Sequence, residues 1–190
     1  MQDHIWMMTV RSASHWRAMR MTVPDHGVWR KELYVTVIQH GMDDEEIRAL
    51  IDPAVRDEIF DVVKEIHNAP YARFNGIETV SVSMDEVVTR MKVTDDKMNS
   101  IRFVHGAAVF AIADHTFAFA ANLGKYRQIA LSSSIIYHRP GIGDELTAVS
   151  SRVSETNSVS TYIVKVYCDG KHIATATSVG FKIKDRKLGA

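Results

Sequence analysis

The most apolar stretch of the chain, residues 99–122, predicts one long helix with a carboxylate in its middle. From residue 107 to 121 nearly every side chain is Ala, Val, Phe or Ile, and these fall on all sides of a helix. A helix that is apolar all round is enclosed by the rest of its protein. Asp114 stands inside it, where burial draws the pKa of a carboxyl group toward neutrality. Asp114 is therefore either a functional acid–base group or an Asp at the helix edge that faces solvent beside His115.

The segment before this helix predicts an N-terminal helical region that packs on the domain. Acidic residues 43–46 suit the first turn of a helix, because they complement its dipole. Asp52-Pro53 predicts an N-cap followed by Pro at the first helical position. From there to about His67 an apolar stripe recurs at helical spacing, formed by Val55, Ile59, Val62, Val63 and Ile66. Pro70 then ends the helix.

Alternating apolar and polar residues predict an antiparallel sheet around the buried helix. The Asp169-Gly170 pair is a strong signal for a two-residue hairpin turn. One long helix followed by several antiparallel strands indicates the α+β class. The predicted strands cover residues 79–84, 87–93, 129–138, 145–155, 158–168 and 171–183.

Residues 1–41 show no regular pattern beyond a short possible strand at Leu33–Ile38. His4, His15 and His26 recur every eleven residues, but Pro24 and Gly27 interrupt any helix that would align them. We interpret residues 1–41 as an extension of unclear role, either packed on the surface or derived from vector or upstream sequence. Residues 42–190 are expected to form a single domain, since domains of about 100–200 residues are the rule.

Composition narrows the partners and the chemistry. The 23 Lys and Arg residues balance 23 Asp and Glu residues, so global charge offers no case for nucleic acid or an anionic membrane. The single Cys168 excludes an intrachain disulfide and a cysteine-based metal site. No apolar run could span a bilayer and no signal-peptide core is present, so we expect a cytoplasmic protein. No metal-binding, Walker or dinucleotide motif occurs, so we expect neither metal nor cofactor.

The start of the long helix is a second candidate for chemistry. The backbone N–H groups of Gly106 and Ala107 are unpaired if His105 precedes the helix, and such groups stabilise a developing negative charge. If His105 were helical, its nine-residue separation from Asp114 would put the two about 180° apart. A His–Asp dyad within one chain is therefore not expected.

The motif order in this region resembles the hotdog-fold acyl-CoA thioesterases. Asn99, His105-Gly106 and Ala113-Asp114 fall at the family's spacing, and HGAAVFAIADHTFAFAANLG matches without a gap the hallmark of the subgroup containing the phenylacetate-pathway thioesterase. YHRPGIGDELTA and VYCDGKHIATATSVGFKI resemble its later strands, so the resemblance covers about residues 67–184. It implies a hotdog fold, an antiparallel sheet wrapped around one long central helix.

The resemblance also implies roles for individual residues. Asp114 corresponds to the carboxylate that activates water or attacks the thioester directly, and Asn99 to the residue that positions water or substrate. Gly106 supplies an oxyanion N–H, whereas His105 either takes part in catalysis or orients the loop. Ala107 departs from the family's second Gly; it retains the donor, narrows the room for the acyl group, and is strained only if the backbone needs a positive φ.

Quaternary structure and substrate binding follow from the same resemblance. The active site of hotdog dimers lies between subunits, so we expect a homodimer or a dimer of dimers that binds acyl-CoA. One of Ser132 and Ser134, on a shared strand face, is a candidate to line the site, with a solvated Ser as the alternative. The phosphates of coenzyme A need cations and donors near strand ends, for which the candidates are His138, Arg139, Asn157, Ser158, Lys182 and Lys184.

The sequence thus predicts a thioesterase that hydrolyses acyl-CoA to free acid and CoA. Two alternatives stay open: a non-catalytic acyl-CoA-binding hotdog module, and a hotdog dehydratase acting on 3-hydroxyacyl thioesters. A binding module has no need of a buried carboxylate facing the thioester. Asp114 therefore discriminates between the thioesterase and the binding module.

Overall fold

The computed structural model of the protein describes residues 42–183 and, ahead of them, the backbone of two short strands. These strands, β1 (Met7–Arg11) and β2 (Trp16–Arg20), pair antiparallel with Met7 opposite Arg20. The pattern of residues 1–41 does not predict this hairpin. The predicted strand over residues 33–38 and the three spaced histidines lie outside the described residues. The chain divides into units between residues 39 and 40.

Three short helices open the second unit; the acidic and apolar patterns predict the first two but not the third, which begins at Pro70. They are α1 (Asp44–Ala49), α2 (Arg56–His67) and α3 (Pro70–Asn75). Asp43 caps α1 by accepting the N–H groups of Glu45 and Glu46, and the Glu46 side chain accepts the N–H of Asp43 in return.

The predicted start of α2 is wrong by three residues. Asp52 accepts the N–H of Ala54 at 2.9 Å and so closes a turn, and the helix begins only at Arg56, after Val55. The Asp52 side chain therefore stabilises the turn before the helix rather than the first turn of the helix. The buried residues of α2 are Ile59, Phe60 and Val63, on the predicted apolar side.

The sheet has six strands, each antiparallel to its neighbours, in the order β3-β4-β6-β7-β8-β5. The predicted Asp169-Gly170 turn is present, with φ of 44° and 75°, as a two-residue turn between β7 and β8 requires. The strands are β3 (Ile77–Val82), β4 (Glu86–Lys92), β5 (Gln128–Tyr137), β6 (Glu145–Glu155), β7 (Val159–Cys168) and β8 (Lys171–Lys182).

The long predicted helix is α4 (Gly106–Ala121), and it packs across the inner face of the sheet. Val109, Ile112 and Phe117 are at most 2% exposed within the main core, which lies between α4 and the central strands. A second core joins Phe119 to α1 and α2. This arrangement is the α+β hotdog architecture expected from the sequence. No helix among the described residues is long and apolar enough to cross a bilayer.

Strand β5 forms one edge of the sheet and carries exposed apolar side chains. Ile129, Leu131 and Ile136 are 57%, 63% and 66% exposed. β5 pairs only with β8 in the described part of the chain, so its other edge presents unpaired backbone groups. A long apolar edge of this kind is a template for pairing with another chain.

Candidate active site

One side of α4 is less covered than the sequence pattern suggests. Ala107, Phe110, Asp114 and Ala118, spaced three or four residues apart, form a stripe along the helix whose members are exposed or only partly buried. The rest of the chain therefore encloses α4 on its other sides only. An apolar helix with one open stripe has an unfilled place for a packing partner.

Asp114 lies midway along this stripe and is half-buried. Nothing among the described residues donates a hydrogen bond to its carboxylate or pairs with it. Desolvation raises the pKa of the Asp114 carboxyl above its usual value, with no cation to oppose it. The side chain is thus neither fully solvated nor bonded to His115, and its carboxylate is available to a ligand.

His105 forms the N-cap of α4. Its Nδ1 accepts the N–H of Ala107 at 3.0 Å, so Nδ1 carries no proton in this arrangement and the ring proton is on Nε2. Of the two helix-start donors expected from the sequence, one is consequently occupied. The N–H of Gly106 meets no acceptor in residues 42–183 and remains available for an oxyanion.

Gly106 and Asp114 cannot act on one substrate within a single chain. They are eight positions apart in the helix, which corresponds to about 12 Å along the axis. His105, the N-cap, lies one position farther along the chain from Asp114 than Gly106 does. The helix therefore presents a donor at its start and a base in its middle as two separate half-sites.

Asn99 organises the loop that leads into α4. Its Oδ1 accepts the N–H groups of Ile101 at 3.1 Å and Phe103 at 3.0 Å, and Arg102 within this loop has a φ of 64°. The amide oxygen is therefore used structurally, while Nδ2 keeps its donors for a ligand. The role predicted for Asn99 toward water or substrate thus narrows to hydrogen-bond donation.

The remaining predicted site residues lie apart from this centre. Ser132 and Ser134 share a strand face, as expected, but it is the outer one, since Ser133 between them bonds the buried Ser178. They do not approach Asp114 within one chain. Arg139 follows β5 at the end nearest Gly106, whereas Asn157 and Ser158 form the exposed β6–β7 turn at the opposite end of the sheet.

The structure rules out Lys182 as a ligand for the phosphates of coenzyme A. Lys182 is 8% exposed and its Nζ donates to Glu155 and to the carbonyl of Thr156, the latter at 2.8 Å. A buried, paired ammonium group cannot turn outward to a phosphate without leaving its partner uncompensated. Lys184 lies outside the described residues.

A recess of about 310 Å³ opens beside the Asp114 stripe, between α2 and the second half of α4. Ala118, one turn beyond Asp114, is part of its wall. Polar groups of Arg127 and Asn122 lie at its other side, and the Arg127 guanidinium pairs with Glu65. The described residues contain no group of three or more side chains suited to hold a metal ion.

Comparison with known proteins finds thioesterases among the relatives of this chain. Residues 102–174 match the thioesterase superfamily. Acyl-coenzyme A thioesterase PaaI of Escherichia coli is 30% identical over 100 residues, covering 52% of this chain and 71% of that protein. A mutant of phenylacetic acid degradation protein PaaI from Thermus thermophilus is 30% identical with a TM-score of 0.57, covering 60% of this chain and 99% of that one. The protein smu.793 of Streptococcus mutans, solved with acetyl CoA bound, is 26% identical with a TM-score of 0.56, covering 60% and 94%.

The chain belongs to the thioesterase superfamily. The predictions of a hotdog fold and of a thioester hydrolase are therefore confirmed. The roles of Asp114, Asn99, Gly106 and His105 in this thioesterase stay predictions, supported by the geometry above.

One residue of the site was missed by the sequence analysis. Tyr137, the last residue of β5, donates its hydroxyl to the carbonyl of Gly106 at 3.1 Å. The only signal in the sequence was an aromatic residue two positions before Arg139-Pro140, at the end of a predicted strand. Nothing in that pattern indicates which helix residue it contacts.

We expect Ala107→Gly to leave thioesterase activity within about tenfold of the wild type, which is about 1.4 kcal/mol of barrier. Ala107 lies in the first turn of α4 with an exposed side chain and without a positive φ, so the Ala causes no strain and both residues keep the N–H that His105 accepts. Steady-state kinetics of the purified variant measure this. A complete loss of activity in a folded variant would show that the methyl group itself matters.

We expect the thioesterase to lose stability in acid through His115. Burial first, and then the nearby His67, lower the pKa of His115 from 6.5 to about 4, so the folded protein holds it neutral. Unfolding exposes His115 and lets it protonate at its ordinary pKa. Its contribution to the free energy of unfolding is therefore complete above pH 6.5 and is lost as the pH falls toward 4, by up to roughly 3 kcal/mol.

Urea unfolding between about pH 7.5 and 4.5, on the wild type and on His115→Gln, measures this contribution. The variant should show a smaller loss in acid. His67 also has a lowered pKa and adds to the loss, whereas the raised pKa of Asp114 acts in the opposite direction. An equal slope in both proteins would contradict the assignment to His115.

Proposed function

We propose that this thioesterase hydrolyses acyl-CoA thioesters with Asp114 of one subunit and the Gly106 N–H of the partner subunit. The observation that carries the proposal is the pair of incomplete half-sites on α4. An unpartnered, half-buried carboxylate and a free helix-start donor lie on one helix, about 12 Å apart by helical rise. Neither completes a site alone, and each supplies what the other lacks.

A two-fold dimer through β5 brings the half-sites together. The exposed apolar edge of β5 pairs with its own copy, and antiparallel pairing sets the two α4 helices side by side in opposite directions. The open stripes of the two helices then cover each other. The start of one helix approaches the middle of the other, where Asp114 lies.

The chemistry follows from these positions. The thioester carbonyl oxygen accepts the Gly106 N–H, which stabilises the oxyanion in the transition state. The Asp114 carboxylate takes a proton from water as the water oxygen attacks the carbonyl carbon. Collapse of the tetrahedral intermediate breaks the C–S bond, and the proton on Asp114 passes to the departing CoA thiolate. The raised pKa of Asp114 makes its carboxylate a stronger base for the first step.

The dimer also gathers the residues suggested for coenzyme A. Arg139 lies at one end of β5, and Asn157 and Ser158 at the other end of the same sheet. A two-fold axis across β5 places the Arg139 end of one subunit near the Asn157 end of its partner. The phosphates of CoA would meet Arg139 there, and the pantetheine arm would run toward Gly106.

The recess beside Ala118 receives the acyl group in this arrangement. It begins one helical turn from Asp114, so an acyl chain attached to a carbonyl at Asp114 points into it. Its apolar wall includes Ile66 and Ala69, and its far side is polar. The acetyl CoA bound to smu.793 supports a CoA thioester as the class of ligand.

A thiol-release assay over a small panel of acyl-CoA thioesters tests the proposed function. Short, medium-chain and aryl-acetyl thioesters at saturating concentration should release one CoA thiol for each free acid formed. Calorimetric titration of the same thioesters measures binding separately. Binding without thiol release across the panel would reject the hydrolase and favour the acyl-CoA-binding module.

A further inference from the structure

We infer that Tyr137 is a positioning residue for the oxyanion donor: its hydroxyl holds Gly106 so that the Gly106 N–H points at the thioester carbonyl. The inference rests on the proposed function and adds a residue to which the family resemblance assigns no role. Tyr137 lies at the end of β5, 31 positions after Gly106 in the chain.

The contact between the two residues is direct. The Tyr137 hydroxyl donates to the Gly106 carbonyl oxygen at 3.1 Å. The same ring lies against the Gly106 Cα, since a β-carbon there would be 3.4 Å from the hydroxyl and 3.5 Å from the ring carbon that bears it. Tyr137 thus fixes both the carbonyl and the α-carbon of the first residue of α4.

The first residue of a helix needs such support. The helix ladder constrains Gly106 only through its carbonyl, because its N–H has no partner among the helix residues. His105 accepts the next N–H, that of Ala107. The Gly106 N–H is consequently the donor left to the substrate, and its direction depends on how firmly Gly106 is held.

Tyr137 also links this donor to the proposed subunit interface. It is the last residue of β5, paired with the buried Ala174 of β8. Dimerisation through β5 would order the strand that carries Tyr137. The hydrogen bond from Tyr137 would then hold Gly106, and with it the oxyanion N–H group, in a fixed position.

Tyr137→Phe removes the hydroxyl and keeps the ring. Tyr162→Phe is the matched control, because Tyr162 donates its hydroxyl to the carbonyl of Ala120 at 3.4 Å, at the other end of α4. Both variants lose one tyrosine–carbonyl bond to the same helix. Only the first is next to the donor.

Nuclear magnetic resonance tests the positioning without reference to activity. Selective ¹⁵N-glycine labelling gives one amide signal for each of the ten glycines in the sequence. We expect the Gly106 amide to shift in Tyr137→Phe and to stay unchanged in Tyr162→Phe, with the other glycine signals showing that both variants are folded. An unmoved Gly106 signal in Tyr137→Phe overturns the inference.

Kinetics test the consequence. We expect kcat of Tyr137→Phe to fall about tenfold, equal to about 1.4 kcal/mol of barrier, with KM unchanged and dimer mass retained. Tyr162→Phe should keep the wild-type kcat. A shifted Gly106 amide with an unchanged kcat overturns the catalytic relevance of Tyr137. A wild type that hydrolyses no acyl-CoA refutes the proposed function itself, and the positioning role with it.

Discussion

Asp114→Asn is expected to preserve the fold and acyl-CoA binding while lowering thioester turnover by at least about 10²-fold, the usual scale for losing a general base. Asn is nearly isosteric with Asp, so the packing of Phe110, Phe117 and Ala118 around it should survive. The variant should also be at least as stable as the wild type, since the desolvation that raises the pKa of Asp114 no longer opposes folding.

Turnover and thermal stability measured on the same preparation separate a catalytic from a structural carboxylate. Asp61→Asn is the control, because Asp61 is an exposed acid on α2 outside the stripe. It should leave both quantities at the wild-type level. Wild-type turnover in Asp114→Asn on a good substrate would end the catalytic assignment and make the acyl-CoA-binding module the better interpretation.

The second large effect is expected from Ile136→Glu, which should convert the proposed dimer into an inactive monomer. Ile136 is 66% exposed on the edge strand β5, so a Glu there costs the isolated chain little. In the proposed dimer, pairing of β5 with its copy brings the exposed apolar side chains of the two strands together, and a Glu among them replaces apolar cross-strand contacts with an unpaired charge. Separating the subunits also separates Gly106 from Asp114, so turnover should fall at least about 10²-fold.

Light scattering coupled to size exclusion, followed by the thiol-release assay on each fraction, measures both effects. Ile142→Glu is the matched control, because Ile142 is also 66% exposed but lies in the loop before β6. It should stay dimeric and active. A strictly monomeric wild type that is fully active would refute the shared site.

Local patterns predicted the elements of this fold because the interactions that define them are local. The all-apolar run became α4, the alternating runs became the strands, and the Asp169-Gly170 pair became the hairpin turn at positive φ. The wrong start predicted for α2, at Asp52, also comes from a local interaction. An Asp can close a turn or cap a helix with the same oxygen, and the sequence does not distinguish the two.

The motif order predicted which residues belong to the candidate site, but their contacts depend on the fold. The sequence placed Asp114 on the helix and Gly106 at its start, and the distance between them follows from helix geometry alone. It left two free donors at the helix start, and the structure shows that the His105 ring occupies the one on Ala107. The rotamer of His105 determines whether the Ala107 N–H is occupied. Rotamers depend on packing in the folded protein, so the sequence did not predict this contact.

By itself, the sequence determined the class of fold, the buried helix, the acid within it and the family, because periodicity and motif spacing are properties of the chain. Only the tertiary structure decided that Ser132 and Ser134 face outward, that Lys182 forms an ion pair with Glu155, and that Tyr137 donates a hydrogen bond to Gly106. These facts depend on strand register and on contacts between residues tens of positions apart. A one-residue change of register would turn each of those strand residues to the other face of the sheet.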